Sequence, residues 1–203
     1  KKKGKKVGVM KPGATGGKKV GNTFVSQDAR FLKDILSLTT PLEIINPLCL
    51  EHPLAPKLAA EHIGKEIALL PIRTAYTKIK DTSDLLLVEG VGGVMVPIRH
   101  DYLVADLIRE LKLPVIIVAR PNLGTINHTI LTTSFLKQEG LPIAGIIFNS
   151  AHRYTVGLAE KKSPREIQRL SGLKILGEIP YIEDLKKLST LDLEKFVDIS
   201  SLL

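Results

Sequence analysis

The residues best suited to chemistry are Lys11, Asp28 and Glu89, with a run of glycines behind the last of them. Glu89 closes a continuous apolar run, Leu85-Leu86-Leu87-Val88, and opens onto Gly90, Gly92 and Gly93. Such a run is the pattern of a strand buried on both faces of a parallel sheet. In open α/β sheets ligands sit beyond the carboxyl ends of the strands, so Glu89 is expected to point into a site. Glycines just past it let backbone N–H groups approach a ligand, since no Cβ intervenes. Lys11 follows another short strand, Lys6–Met10, beside a glycine-rich loop that holds Thr15. There it can hold phosphate or carboxylate as a point charge. Asp28 and Glu89 offer two oxygen donors near the same edge, a suitable Mg²⁺ pair if a phosphate completes the shell. Taken singly, each of the three is better read as a surface charge. Taken together they point to phosphate chemistry.

Other constellations are weaker. Gly16-Gly17-Lys18-Lys19-Val20-Gly21-Asn22-Thr23 fits the frame G-x-x-x-x-G-x-T. However, Asn22 stands where a phosphate loop requires the lysine that reaches the β and γ phosphates. The histidines at 52, 62, 100, 128 and 152 form no i, i+4 pair and have no cysteine partners, which argues against zinc. His128 follows Asn127 at a helix start and is read as a surface or capping residue. There is no Gly-x-Ser-x-Gly elbow, and Cys49 has no evident activating partner.

The elements that must position these groups alternate. After the first strand, Pro12 cannot donate to a ladder, and Ala14–Asn22 reads as a loop. Ser26 can cap a helix whose first turn holds Asp28 and whose apolar face is Phe31, Leu32, Ile35 and Leu36. Four prolines make 41–56 irregular, and Leu58–Leu70 and Ile72–Ile79 read as helices. Asp101 can cap a helix carrying Leu103, Val104, Leu107, Ile108 and Leu111. Val115–Val118 is a second fully buried strand, Asn122–Thr125 opens a helix that Gly140 ends, and Ile143–Phe148 is the next strand. Ser163-Pro164-Arg165-Glu166 reads as a helix start, Gly172 as its end, and Lys174–Leu176 as a last strand. This alternation means an α/β fold, a three-layer doubly wound and mostly parallel sheet.

Composition sets the bounds. The 203 residues are 44% hydrophobic and 25% charged, which suggests one globular domain over 1–203. No apolar run reaches the length of a membrane span and no signal pattern opens the chain. A lone cysteine allows no internal disulfide and suits the cytoplasm. The formal charge is +8, but Lys1–Lys6 supplies five lysines; without them 24 basic residues face 21 acidic ones, or +3. With 4% aromatics and none among those lysines, nothing stacks bases, so nucleic acid is not an expected partner. The lysines read instead as a helix C-terminus with Gly4 just beyond it.

Several stretches together resemble dethiobiotin synthetases. They are Lys11-Pro12-Gly13-Ala14-Thr15-Gly16, Asp28, Asn46-Pro47 to Pro56, Val88 to Pro97, Asn122 to His128, Phe148-Asn149 and Gly177-Glu178-Ile179-Pro180, in that family's order. The most specific are Glu89–Pro97 and Asn122–His128. The resemblance implies a P-loop NTPase-like fold and closure of the dethiobiotin ring from 7,8-diaminononanoate, CO₂ and ATP with Mg²⁺. A substrate carbamate would attack the γ-phosphate, and the second amine would displace phosphate from the resulting carbamic–phosphoric anhydride. By the same resemblance Lys11 is the catalytic cation and Thr15 a contact to the carbamate. Asp28 and Glu89 are the metal ligands, Gly90, Gly92 and Gly93 belong to the nucleotide site, and Asn149, Pro180 and Tyr181 lie on its adenine side. Family members are homodimers, and Gly124, Thr125, Ile126 and Asn127 resemble the contact that takes the far end of the substrate across the interface. A helix N-terminus does offer free N–H groups to a carboxylate.

The family opens with a strand and a Gly-x-x-x-x-Gly-Lys-Thr loop, and this sequence starts near the end of the helix that should follow. The expectation is that the protein has these residues outside the sequence given, or draws them from another segment. Two other readings stand beside the ring-closing ligase. One is a non-catalytic ligand-binding or regulatory domain of the same fold without its phosphate loop. The other is the related domain of phosphotransacetylases or cobyrinate-type amidotransferases.

Overall fold

A computed structural model describes residues 4–153, 157–185, 188, 193–198 and 200. The chain forms two compact units, Lys1–Leu107 and Ile108–Leu203. In the first, β1 (Val7–Met10) and β4 (Leu85–Val88) pair in parallel. α1 (Gln27–Ile35) and α2 (Leu42–Ile45) pack on this pair through Val9, Ala29 and Ile45, with Leu32, Leu36 and Leu42 around them. α3 (Pro56–His62) and α4 (Leu70–Lys80) follow, and α4 buries Ile72, Ala75 and Ile79. Burying each such isoleucine is worth ~1.5–3 kcal/mol. Gly8 is required by this packing: a Cβ there would lie 2.3 Å from Ser83 Oγ and 2.5 Å from Ile79 Cγ2.

Two antiparallel hairpins complete the unit. β2 (Lys18–Val20) falls in the stretch read as loop and pairs with β3 (Thr23–Val25) just beyond it, turning through Gly21-Asn22 with Gly21 at φ +59°. Glycine at the first central position is the signature of a two-residue II′ turn. β5 (Pro97–Arg99) and β6 (Tyr102–Leu103) lead into α5 (Val104–Leu111).

In the second unit β7 (Val115–Ala119), β8 (Ile143–Asn149) and β9 (Ile175–Ile179) form a parallel sheet in that order. The crossover helices α6 (Thr125–Gln138) and α7 (Leu158–Ser171) pack on each other, and Leu136, Ile146, Phe148 and Ile167 are fully buried. The α/β class and the parallel strands are as expected. Among the described residues no helix is long and apolar enough to cross a membrane.

Several boundaries differ from the sequence reading, each for a local reason. α3 stops at His62 because Gly64, at φ +65°, closes a Schellman motif with Gly64 N–H donating to Glu61 O and Lys65 N–H to Ala60 O. The stretch 41–56 contains α2, held by burial of Ile45 on β1. Asp101 does not cap α5, because β6 intervenes; Asp106 instead accepts from Leu103 N–H at 2.7 Å. α7 begins at Leu158, where Glu160 accepts from Gly157 N–H at 2.9 Å, and it runs through Pro164. Leu87 on β4 is 49% exposed and Val118 on β7 64%, so neither strand is covered on both faces by the described residues. Of the basic start, Lys1–Lys3 lie outside the described residues, and Gly4 has the left-handed φ, +77°, that suits a position past a helix end.

Candidate functional site

The parallel register of β1 on β4 builds the centre of the site. Met10 stands opposite Val88, so the next residues, Lys11 and Glu89, emerge side by side, and Glu89 N–H donates to Met10 O at 2.8 Å. Asp28 arrives from the first turn of α1, where Ser26 Oγ accepts from Ala29 N–H at 3.2 Å and fixes the helix start. The three side chains meet. Lys11 Nζ donates to Glu89 Oε1 at 2.7 Å and lies 3.2 Å from Asp28 Oδ2. The lysine side chain is 9% exposed, whereas Glu89 and Asp28 are 51% and 65% exposed. A nearly buried ammonium is therefore faced by two carboxylates that remain open to solvent. Hard oxygen donors converging on one positive atom suit a divalent cation. Among the described residues no three His, Cys, Asp or Glu side chains cluster to hold a metal, so Asp28 and Glu89 stand as a pair of carboxylate donors.

The loop after Lys11 is tied down along its length. Lys11 N–H donates to Ile45 O, Ala14 N–H to Leu48 O, and Gly17 N–H to Leu50 O, which leaves Thr15 half-buried between bonded neighbours. Asn46, buried, donates from Nδ2 to Lys11 O at 2.7 Å and to Leu48 O at 2.9 Å. The sequence marks Asn46 only within the Asn46-Pro47 to Pro56 stretch of the resemblance, which does not reveal this double bond. The Gly16–Thr23 frame is the β2–β3 hairpin and its approach, not a phosphate loop. Beyond Glu89, Gly90, Gly92 and Gly93 are exposed, and Gly92 turns the chain at φ +79°, with the place of a Cβ 3.0 Å from Val96 Cγ2.

The other candidates lie along the carboxyl edge of the β7-β8-β9 sheet. α6 starts beyond β7 with Gly124 at its N-cap, φ +93°, and no side-chain cap. Gly124 and Asn127 are exposed, Ile126 is half-buried, and Thr125 is buried with Oγ1 3.4 Å from Thr129 Oγ1. Asn149 ends β8 opposite Ile179 of β9, and Ser150 N–H donates to Ile179 O at 3.0 Å. Pro180 and Tyr181 follow at once, both exposed. Elsewhere, His52 and His62 meet edge to face with ring centroids 4.4 Å apart, and burial pushes the Cys49 thiol pKa up.

The ATP-dependent dethiobiotin synthetase BioD of Methanococcus vannielii is 39% identical over 193 residues, which is 93% of this chain and 88% of that protein. The chain belongs to the dethiobiotin synthetase family. The enzyme of that name from Bacillus subtilis strain 168 is also 39% identical, over 93% of this chain and 80% of its own. A family model described as an AAA domain matches residues 1–189. Among solved structures, a ParA family ATPase from Chlorobium tepidum superposes with a TM-score of 0.50 at 18% identity, covering 97% of this chain and 85% of that one. The MinD cell division protein of Aquifex aeolicus gives 0.50 at 17%, covering 99% and 82%. At these identities the structural likeness speaks to the fold alone, which is P-loop NTPase-like. This chain thus shares its α/β frame with these two proteins.

Proposed function

We propose that the protein closes the ureido ring of dethiobiotin from 7,8-diaminononanoate, CO₂ and ATP. At the coarser level it is an ATP-dependent ligase of biotin biosynthesis, as its family relatives are named. The observation that carries the finer reading is the Lys11 ammonium held between Glu89 and Asp28. In the reaction one amine adds to CO₂ and loses a proton to give a carbamate. A carbamate oxygen takes the γ-phosphoryl group with release of ADP. The second amine then attacks the carbonyl carbon, the C–O bond to phosphate breaks, and the ring closes.

Negative charge gathers on the carbamate and on the transferring phosphoryl, where fixed positive charge in a partly dry site is worth most. Lys11 supplies it from a buried stem, so little reorganisation is needed. Thr15 offers a hydroxyl to the carbamate. Asp28 and Glu89 would hold Mg²⁺, which supplies further charge neutralisation for the phosphate oxygens. The backbone of Gly90, Gly92 and Gly93 would face the nucleotide, and Asn149, which has both donor and acceptor, would read the adenine with Pro180 and Tyr181. Gly124 to Asn127 present the α6 N-terminus to the substrate carboxylate, in a homodimer whose partner subunit contributes that contact. In the full-length protein Lys11→Gln should lower kcat more than ~10-fold with the circular dichroism spectrum unchanged. A kcat within about twofold of the parent would refute the role of Lys11.

A further inference from the structure

We infer that Asn46 is a positioning residue for Lys11, setting through its side-chain amide where the ammonium stands. The inference rests on the reading of Lys11 as the catalytic cation. β1 ends at Met10, and beyond it the chain runs beside 45–50 as an irregular parallel ladder. Lys11 N–H donates to Ile45 O at 2.8 Å, Ala14 N–H to Leu48 O at 2.8 Å, and Leu50 N–H to Ala14 O at 2.9 Å. By the step in which Leu50 N–H donates to Ala14 O, the donor to Lys11 O would be the N–H of residue 47, and Pro47 has none. A ladder interrupted there leaves the Lys11 carbonyl without a backbone donor. Asn46 Nδ2 fills the gap, donating to Lys11 O at 2.7 Å and to Leu48 O at 2.9 Å.

The chemistry of this contact is restrictive. Two carbonyl acceptors demand an NH₂ group that can give both protons, so the amide orientation follows from its partners. Aspartate of the same shape has no proton to give and would set an anion against two carbonyl dipoles. Serine has one donor and leucine none. With its N–H held by Ile45 and its C=O held by Asn46, the Lys11 backbone is gripped on both polar groups. The side chain then reaches Glu89 and Asp28 from a fixed base. Because the two carboxylates are half in water and free to adjust, the clamp on the backbone, not the ion pairs, defines the ammonium position.

A double-mutant cycle on the full-length protein tests this. Misplacement by about 1 Å can cost 10²-fold, so Asn46→Ala should lower kcat by roughly 10- to 100-fold, with KM for ATP and for the diamine within about threefold. In a Lys11→Gln background the same change should lower kcat by less than about threefold, since the group it positions is already gone. An equal fall in both backgrounds would make Asn46 a structural residue only, and a kcat unchanged by Asn46→Ala would dismiss it altogether. If Lys11→Gln alone leaves kcat intact, the reading of Lys11 fails, and the inference with it, by a result distinct from the other two. Should Asn46→Ala not fold, Asn46→Ser, which keeps one donor, goes through the same cycle with the same outcomes.

Discussion

The Lys11 ammonium occupies the place where two carboxylates converge, so a divalent cation bound by Asp28 and Glu89 has to compete with it. Lys11→Met removes that competitor while keeping the length of the buried stem. At 2.7 Å from Glu89 Oε1, the pair energy is ~6 kcal/mol at an effective dielectric of 20 and ~1.5 kcal/mol in bulk water. Glu89 and Asp28 are 51% and 65% exposed, so the worth of the contact lies near or below the lower figure. Taking about 0.5–1.5 kcal/mol, at 1.36 kcal/mol per factor of ten, Lys11→Met should bind Mn²⁺ roughly 2- to 13-fold more tightly than the parent. The assay is a Mn²⁺ titration followed by electron paramagnetic resonance, without nucleotide, at fixed ionic strength. The gain should shrink as salt is raised, because the carboxylates are screened. Equal or weaker Mn²⁺ binding by Lys11→Met would refute the competition and, with it, a shared cation at Asp28 and Glu89.

Three further outcomes are expected. Gly92→Ala forces a Cβ into the left-handed region at φ +79°, 3.0 Å from Val96 Cγ2. At ~1–2 kcal/mol for the backbone alone it should lower the melting temperature by about 2–8 °C, and an unchanged melting temperature would show that the turn relaxes freely. Burial raises the pKa of Cys49, so at pH 8 iodoacetamide should alkylate it more slowly than a free thiol; an equal rate would contradict its burial. The sign for stability follows: the folded state holds the thiol proton more firmly, so this contribution is complete below the unfolded thiol pKa and is lost as pH rises through the folded one. The proposed homodimer should sediment as a dimer at micromolar concentration, α6 offering Leu131 at 62% exposure; a monomer would remove the shared substrate site.

Strong local signals were legible in the sequence. The apolar run to Val88 and the strand to Met10 predict Glu89 and Lys11 at strand ends, and Ser26 predicts the cap that brings in Asp28. What pairing adds is register, which no one-dimensional pattern contains. α2 and the β2–β3 hairpin escaped because four- and three-residue elements are stabilised by their neighbours more than by their own periodicity. α6 misleads for another reason. Its buried stripe includes Thr125, Thr129 and Thr133, while Ile126 and Ile130 are half-buried and Leu131 is exposed, so apolar residues alone do not mark the buried face. Thr133 is tolerated there because its hydroxyl donates to Thr129 O at 2.8 Å. Asn46 belongs to the same class: a polar residue whose meaning depends on two carbonyls far from it or hidden by a proline.

The adjacency of Lys11 and Glu89 depends on counting as much as on residue type. Each lies one residue past a ladder that runs in step from Val7 opposite Leu85 to Met10 opposite Val88. Inserting or deleting one residue in either strand shifts that step and turns the following side chain to the opposite face. Any residue but Gly8 may thus be exchanged for a similar one within Val7–Met10 or Leu85–Val88 more readily than either strand can change its length. The exposed Gly21-Asn22 turn, by contrast, lies outside this register and can lengthen without moving the charged pair. Across descendants of this chain, gaps should collect at such turns and be absent from the two strands, whatever happens to the letters within them.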